Sequence, residues 1–169
     1  MNSSTRRTKR LGKAAVIGAV LTASLLGVAG TASANGNVTW RNKATGNYLW
    51  AEQGAYPAPV GSGSGCGTYT YGCQWYDELQ SDGTWFEASQ QNNNQCLDSD
   101  NHWGNGGNTY TMDCSGNNNQ RWYEIPTSNG WALQDKATGF YLDGGGGPEG
   151  IGAYTNGSYG LGNNYQHWT

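Results

Sequence analysis

Charge is scarce in this chain. Asp, Glu, Lys and Arg make up 12% of its residues, roughly half the share of an ordinary soluble domain. Cations are the scarcer sign and are unevenly placed. Arg6, Arg7, Lys9, Arg10 and Lys13 fall at the start, which leaves Arg41, Lys43, Arg121 and Lys136 for everything after residue 34. All twelve acids lie in that later part, so residues 35–169 carry a net charge of −8. A phosphate backbone is gripped by a stripe of cations that displaces counterions, and four scattered ones make no stripe. Nucleic acid is disfavoured as a partner on this ground, and an anionic membrane surface with it.

Catalytic equipment is equally thin. Histidine occurs twice, at His102 and His167. Gly-x-Ser-x-Gly, His-Glu-x-x-His and glycine-rich phosphate loops are all missing. Glycosidases work with two facing carboxylates, and twelve acids supply pairs by number without supplying a constellation by spacing. Asp98-Ser99-Asp100-Asn101 lacks the glycine and the terminal glutamate that a calcium loop requires, and no Cys-x-x-Cys suggests zinc. The expectation is a protein that is not an enzyme and uses no cofactor or metal.

Long apolar runs are missing after residue 34. The single such run, Ala14 to Gly30, follows the cationic start and precedes Ala32-Ser33-Ala34, the layout of a secretory signal peptide cleaved after Ala34. It is short for a membrane span. The reading is therefore an exported chain of residues 35–169, without membrane insertion. Helix formers are sparse there too, and no segment repeats apolar residues at helical spacing.

Aromatic rings and glycine are what the chain has in quantity, with eight Trp, eleven Tyr and 28 Gly. They cluster in short runs such as Val38-Thr39-Trp40, Thr68 to Tyr71, Gly83 to Glu87 and Asn108 to Met112, separated by Gly, Asn and Ser. Many short strands with turns between them predict an all-β sandwich or barrel.

A repeat sharpens that prediction. Trp75, Trp122 and Trp168 are 47 and 46 residues apart, and Leu49, Leu97 and Leu142 are 48 and 45 apart. Each tryptophan follows a glutamine: Gln74 (shortened by one residue), Gln120 and Gln166. The octapeptides Asn42 to Leu49 and Asp135 to Leu142 nearly match, and Tyr69, Tyr110 and Tyr154 align as equivalents. A unit of about 45 residues with four short strands cannot bury its apolar face alone, so three units close around one core as a β-trefoil. The units are expected at about 35–80, 81–126 and 127–169. The three tryptophans, Leu49, Leu97, Leu142, Leu133 and Phe86 are the candidate core. Four cysteines in an exported chain predict two disulfides; Cys66 with Cys73 and Cys96 with Cys114 each fall within one unit.

Cys96-Leu97-Asp98, then Cys114, then Asn119-Gln120-Arg121-Trp122 resembles the repeat of the ricin B-chain type lectins, and the resemblance extends over essentially all of residues 35–169. It implies a secreted lectin that binds glycans, often galactose-type, with Asp98 and Asn119 as sugar contacts and Gln120 orienting them. The family's stacking ring falls at Met112. Tyr110, on the same strand face, or Trp103 from the loop Asp100-Asn101-His102-Trp103-Gly104 can serve in its place. In the third unit Asp143 and Tyr154 recur, Tyr165 stands before Gln166, and Asn164 supplies a shifted amide. In the first unit Trp50 replaces the aspartate and Cys73 the amide, so that unit is expected to be structural. A second reading makes the same trefoil a protein-binding piece, an inhibitor or an adaptor subunit with a secreted protein partner.

Overall fold

The computed structural model describes residues 35–54, 58–64, 66, 71–100, 104–146, 152–160 and 162–169. The expected leader (1–34), Tyr69 and Trp103 lie outside the described residues. Eleven strands form one sheet: β1 (Gly36–Val38), β2 (Tyr48–Ala51), β3 (Ala58–Gly63), β4 (Trp75–Leu79), β5 (Trp85–Ser89), β6 (Gln95–Ser99), β7 (Gly106–Asp113), β8 (Trp122–Thr127), β9 (Gly130–Asp135), β10 (Tyr141–Gly146) and β11 (Gly152–Asn156). Among the described residues the helical pieces are three single 3-10 turns, Tyr71–Cys73, Asn118–Gln120 and Asn164–Gln166.

The pairing resolves into a barrel and three hairpins. β1, β4, β5, β8 and β9 pair in that order around the barrel. Trp168 completes the circuit by bridging both Trp131 and Asn42. Arg41 and Thr169 exchange two backbone hydrogen bonds at this seam, of 2.8 and 2.9 Å. The hairpins β2–β3, β6–β7 and β10–β11 cap one end, joined through β7, which pairs with β3 on one side and β11 on the other. Closing the barrel removes most open sheet edges.

The threefold plan is written in one contact made three times. Trp75 Nε1 donates to Leu49 O at 3.1 Å, Trp122 Nε1 to Leu97 O at 3.0 Å and Trp168 Nε1 to Leu142 O at 3.1 Å. All six side chains are buried, and with Trp40, Ala51, Val60, Leu133 and Ala153 they form the core. Each indole thereby buries a large apolar area and satisfies its only polar atom. Entry into each lobe is shaped by a second repeated device. Asn42 Oδ1 accepts from the N–H groups of Ala44 and Thr45, Ser89 Oγ from Gln91 and Asn92, and Asp135 Oδ2 from Thr138. Short polar side chains nucleate such turns readily. The middle lobe, whose sequence departs from the octapeptide, keeps the turn through Ser89.

Several expectations need correcting. The first lobe is not shortened at its anchor. Gln74 N donates to Tyr71 O, as Arg121 N does to Asn118 O and His167 N to Asn164 O. Cys73 therefore takes the place of Gln120 and Gln166, and all three are buried. Gln120 holds Asp113 O and the Ser115 N–H, and Gln166 holds Ser158 O and the Gly160 N–H. In the first lobe a covalent bond, Cys66–Cys73, stands where that amide clamp would be. Cys96 pairs with Cys114 as expected.

In the first lobe the place of Tyr110 and Tyr154 is taken by a glycine, and Tyr69, expected there, lies outside the described residues. The register pairs Trp50 with Gly61, Asp98 with Tyr110 and Asp143 with Tyr154, so Gly61 holds that place. The strand carrying it, β3, is Ala-Pro-Val-Gly-Ser-Gly and has no aromatic or Thr to betray it; it is a strand because β2 and β7 flank it. Phe86 is not core: it is half-buried, with the Arg121 guanidinium 5.1 Å from its ring centroid. β5 starts at Trp85 rather than Gly83, because Gly83 sits at φ +81° in the preceding turn.

Candidate functional site

Asp98 lies in β6 directly opposite Tyr110 in β7. It is 2% exposed, and its Oδ1 is buried and takes no hydrogen bond. The turn Asn118–Gln120 packs against β6 because the Gln120 amide is tied to the backbone on both sides of Cys114. That places Asn117, the residue capping the turn, next to Asp98, and its own Oδ1 accepts the Asn119 N–H at 2.8 Å. Burial raises the Asp98 carboxyl above its ordinary range, and the side chains of Gln120, Tyr110 and Asn117 oppose the shift. The Tyr110 phenol is held well above its usual range by burial first and by the Asp98 charge second. The site is thus a recessed carboxylate with a spare acceptor oxygen, walled by a phenol and rimmed by amides.

The third lobe repeats the arrangement with more of its bonds made. Asp143, also 2% exposed, faces Tyr154 across β10–β11. Its Oδ1 accepts the Gly145 N–H at 2.8 Å, and its Oδ2 accepts from Asn163 Nδ2 at 3.4 Å. Asn156 Nδ2 donates to the Tyr154 hydroxyl at 3.3 Å. Burial again raises the carboxyl, countered first by the Gly145 N–H and then by Asn163, Asn156 and Tyr154. Tyr165, 46% exposed, edges this pocket. A Cβ on Gly145 would stand 2.8 Å from Asp143 Oδ1 and 3.4 Å from the Tyr165 ring, so the glycine keeps the carboxylate and the ring within one hollow.

The placements sort the candidates. Asp98, Tyr110, Gln120 and the turn bearing Asn119 come together in the second lobe, and Asp143 with Tyr154 in the third. Met112 pairs with Cys96, one same-face step from Tyr110 toward the disulfide. Asn164 is exposed at the start of its turn, and Asn163 is the residue whose amide reaches the carboxylate. Asn117 and Asn163 are not singled out by sequence reasoning, although both stand five residues before the lobe's tryptophan, which is the available signal. Asn156 escapes it as well; it takes the place that Met112 has in the second lobe. Gln120 is first among the side chains that hold the Asp98 carboxyl down against burial, and its other hydrogen bonds go to Asp113 O and to the N–H and hydroxyl of Ser115.

The first lobe shows the same ladder position filled differently. A Cβ on Gly61 would stand 2.6 Å from Trp50 Nε1, and one on Gly63 3.2 Å from it. The indole lies across the two glycines and occupies the space a carboxylate and phenol hold elsewhere. No polar pair remains at that rung, which fits a structural lobe.

No family model matches the sequence, and no curated protein matches it. Solved structures do. A designed 3-fold symmetric protein, ThreeFoil, is 24% identical over 78% of this chain and 95% of its own, with a TM-score of 0.65. A Macrolepiota procera ricin B-like lectin, solved in complex with lactose, is 13% identical over 81% of this chain and 95% of its own, at 0.62. An exo-β-1,3-galactanase from Clostridium thermocellum is 21% identical over 79% of this chain, at 0.65, and the match spans 29% of that enzyme. The fold of this chain is a β-trefoil, shared with these proteins.

Proposed function

We propose that this protein is a secreted, non-catalytic carbohydrate-binding protein with two shallow glycan sites, in the second and third lobes. The observation that carries the reading is the recurrence, at one ladder position in two lobes, of a buried aspartate facing a tyrosine: Asp98 with Tyr110 and Asp143 with Tyr154. A buried carboxylate accepts sugar hydroxyls strongly, a phenol wall covers the apolar face of a pyranose, and Asn117 and Asn163 complete the polar rim. The lactose-bound ricin B-like lectin and the galactanase support a galactose-type residue as the first ligand to try. Each site is weak alone, and two on one chain reinforce each other on a multivalent surface.

A glycan array probed with the purified protein tests this. Binding that falls in Asp98→Asn and is abolished in Asp98→Asn with Asp143→Asn is the expected result. No glycan signal, together with a co-purifying secreted protein, would favour the inhibitor or adaptor reading.

A further inference from the structure

Glu87 occupies an anomalous place in the barrel. It stands two residues before Ser89, as Trp40 stands before Asn42 and Leu133 before Asp135, and those two counterparts belong to the apolar core. Glu87 is 0% exposed. A carboxylate there forfeits apolar burial and must be stripped of water, which costs several kcal/mol unless something compensates.

Two more acids converge on it. Asp77 in β4 is its direct ladder partner, 5% exposed, and Glu124 comes from β8, the neighbour of β5 on the other side. One oxygen from each lies within 4.8 Å of the others. Trp40 Nε1 donates to Glu87 Oε2 at 3.0 Å. Glu87 Oε1, Asp77 Oδ1 and Glu124 Oε1 are buried without a hydrogen bond. Residues 35–169 have no Lys or Arg to spare for them. Arg121 and Lys136 pair with Asp82, Lys43 reaches Asn129, and Arg41 is held by Gly46 O and the Tyr48 ring.

We propose that Asp77, Glu87 and Glu124 bind one calcium ion, which staples β4 of the first lobe to β5 and β8 of the second. The ligands are all hard oxygens. Calcium holds oxygens at about 2.3–2.6 Å, so donors across its shell stand up to roughly 5 Å apart, whereas magnesium at about 2.0–2.1 Å draws them closer and demands a regular octahedron. Three oxygens within 4.8 Å of one another fit the shell of one calcium ion without a regular octahedron being imposed on the strands. Glu124, only half-buried, marks the side on which ion and water reach the site. The competitor is a proton shared between Asp77 and Glu87, since burial and the Asp77 charge raise the Glu87 carboxyl.

Terbium, a luminescent stand-in for calcium, tests the assignment because Trp40 is bonded to a ligand and serves as an energy donor. Titrating it into the protein at neutral pH with indole excitation should give saturable emission at one ion per chain. Calcium should quench it at lower concentration than magnesium. Glu87→Gln should abolish the signal. Glu124→Gln, at the half-buried edge and less disturbing to the core, should weaken binding by about tenfold or more, the loss of one charged ligand. In parallel, calcium should raise the melting temperature of the wild type over chelator and leave Glu87→Gln unmoved. Absence of saturable emission in the wild type would assign the cluster to protons and overturn the proposal. Emission that persists unchanged in both variants would place the ion elsewhere and overturn it equally. The glycan sites use other residues, so either proposal can fail without the other.

Discussion

The first and second lobes share a hairpin plan and differ sharply at one of its rungs. In the second, Asp98 faces Tyr110; in the first, Trp50 faces Gly61. The hairpin is built alike because its stability comes from elsewhere: a buried leucine beside the variable residue and the tryptophan that bonds its carbonyl. Trp50 and Gly61 fill the rung with one large ring laid over a bare backbone, whereas Asp98 and Tyr110 fill it with two medium groups and leave an acceptor oxygen unspent. A rung that contributes little to the core is free to differ in chemistry from one lobe to the next.

The largest effects should be blind to this difference. Replacing Trp75, Trp122 or Trp168 by Ala should each cost about 3–5 kcal/mol in urea unfolding, with similar values because the contact is the same in each lobe. One anchor far weaker than the others would break the equivalence. Reduction comes next, with each disulfide contributing about 2–4 kcal/mol. Loss of Cys66–Cys73 should loosen the first lobe specifically, where it replaces the glutamine clamp, and hydrogen exchange would show it.

Smaller effects should separate the lobes. Gly61→Ala should destabilise by about 1–3 kcal/mol through overpacking against Trp50, and Trp50→Ala in the same chain should recover part of that, a coupling that a double-mutant cycle measures. Asp98→Asn should weaken glycan binding by about tenfold or more while leaving stability equal or higher, because the variant removes a buried charge with an unpaired oxygen. Binding measured by calorimetry and unfolding measured in parallel would distinguish a ligand contact from a turn residue, whose loss would lower both.

The smallest expected effect is the pH dependence. Asp98 and Asp143 are both raised above the ordinary aspartate value of 3.8. With the ionised form as the sugar acceptor in the proposed sites, affinity should decline on acidification with a midpoint above that value. Stability should run the other way. A carboxyl with a raised folded-state pKa contributes stability that is present below the unfolded value and lost as pH rises through the folded one. Affinity and melting temperature followed over about pH 7 to 4 should therefore move in opposite directions at these two residues.

The repeat made most of the fold readable in advance. Large buried side chains recur with a fixed period because each lobe must present the same plug to a common axis, so Trp75, Trp122 and Trp168 announce the architecture by spacing alone. Asp98, Tyr110, Asp143 and Tyr154 were legible for a related reason: they follow the leucine or lie on a strand whose alternation is regular. Asn117 and Asn163 were not, since a run of asparagines does not say which one caps the turn and which side chain turns inward. β3 was illegible because its pairing partners, rather than its own composition, make it a strand.

Sequence alone determined the all-β character, the three lobes, the number of disulfides and the poverty of cations, because these depend on composition and on contacts close in the chain or repeated along it. Tertiary structure decided that Cys73 stands in for a glutamine, that Gly61 lies under Trp50, and that Asp77, Glu87 and Glu124 meet. Those three acids come from strands brought side by side only when the barrel closes, and their cost and their use arise from burial, which no linear spacing records.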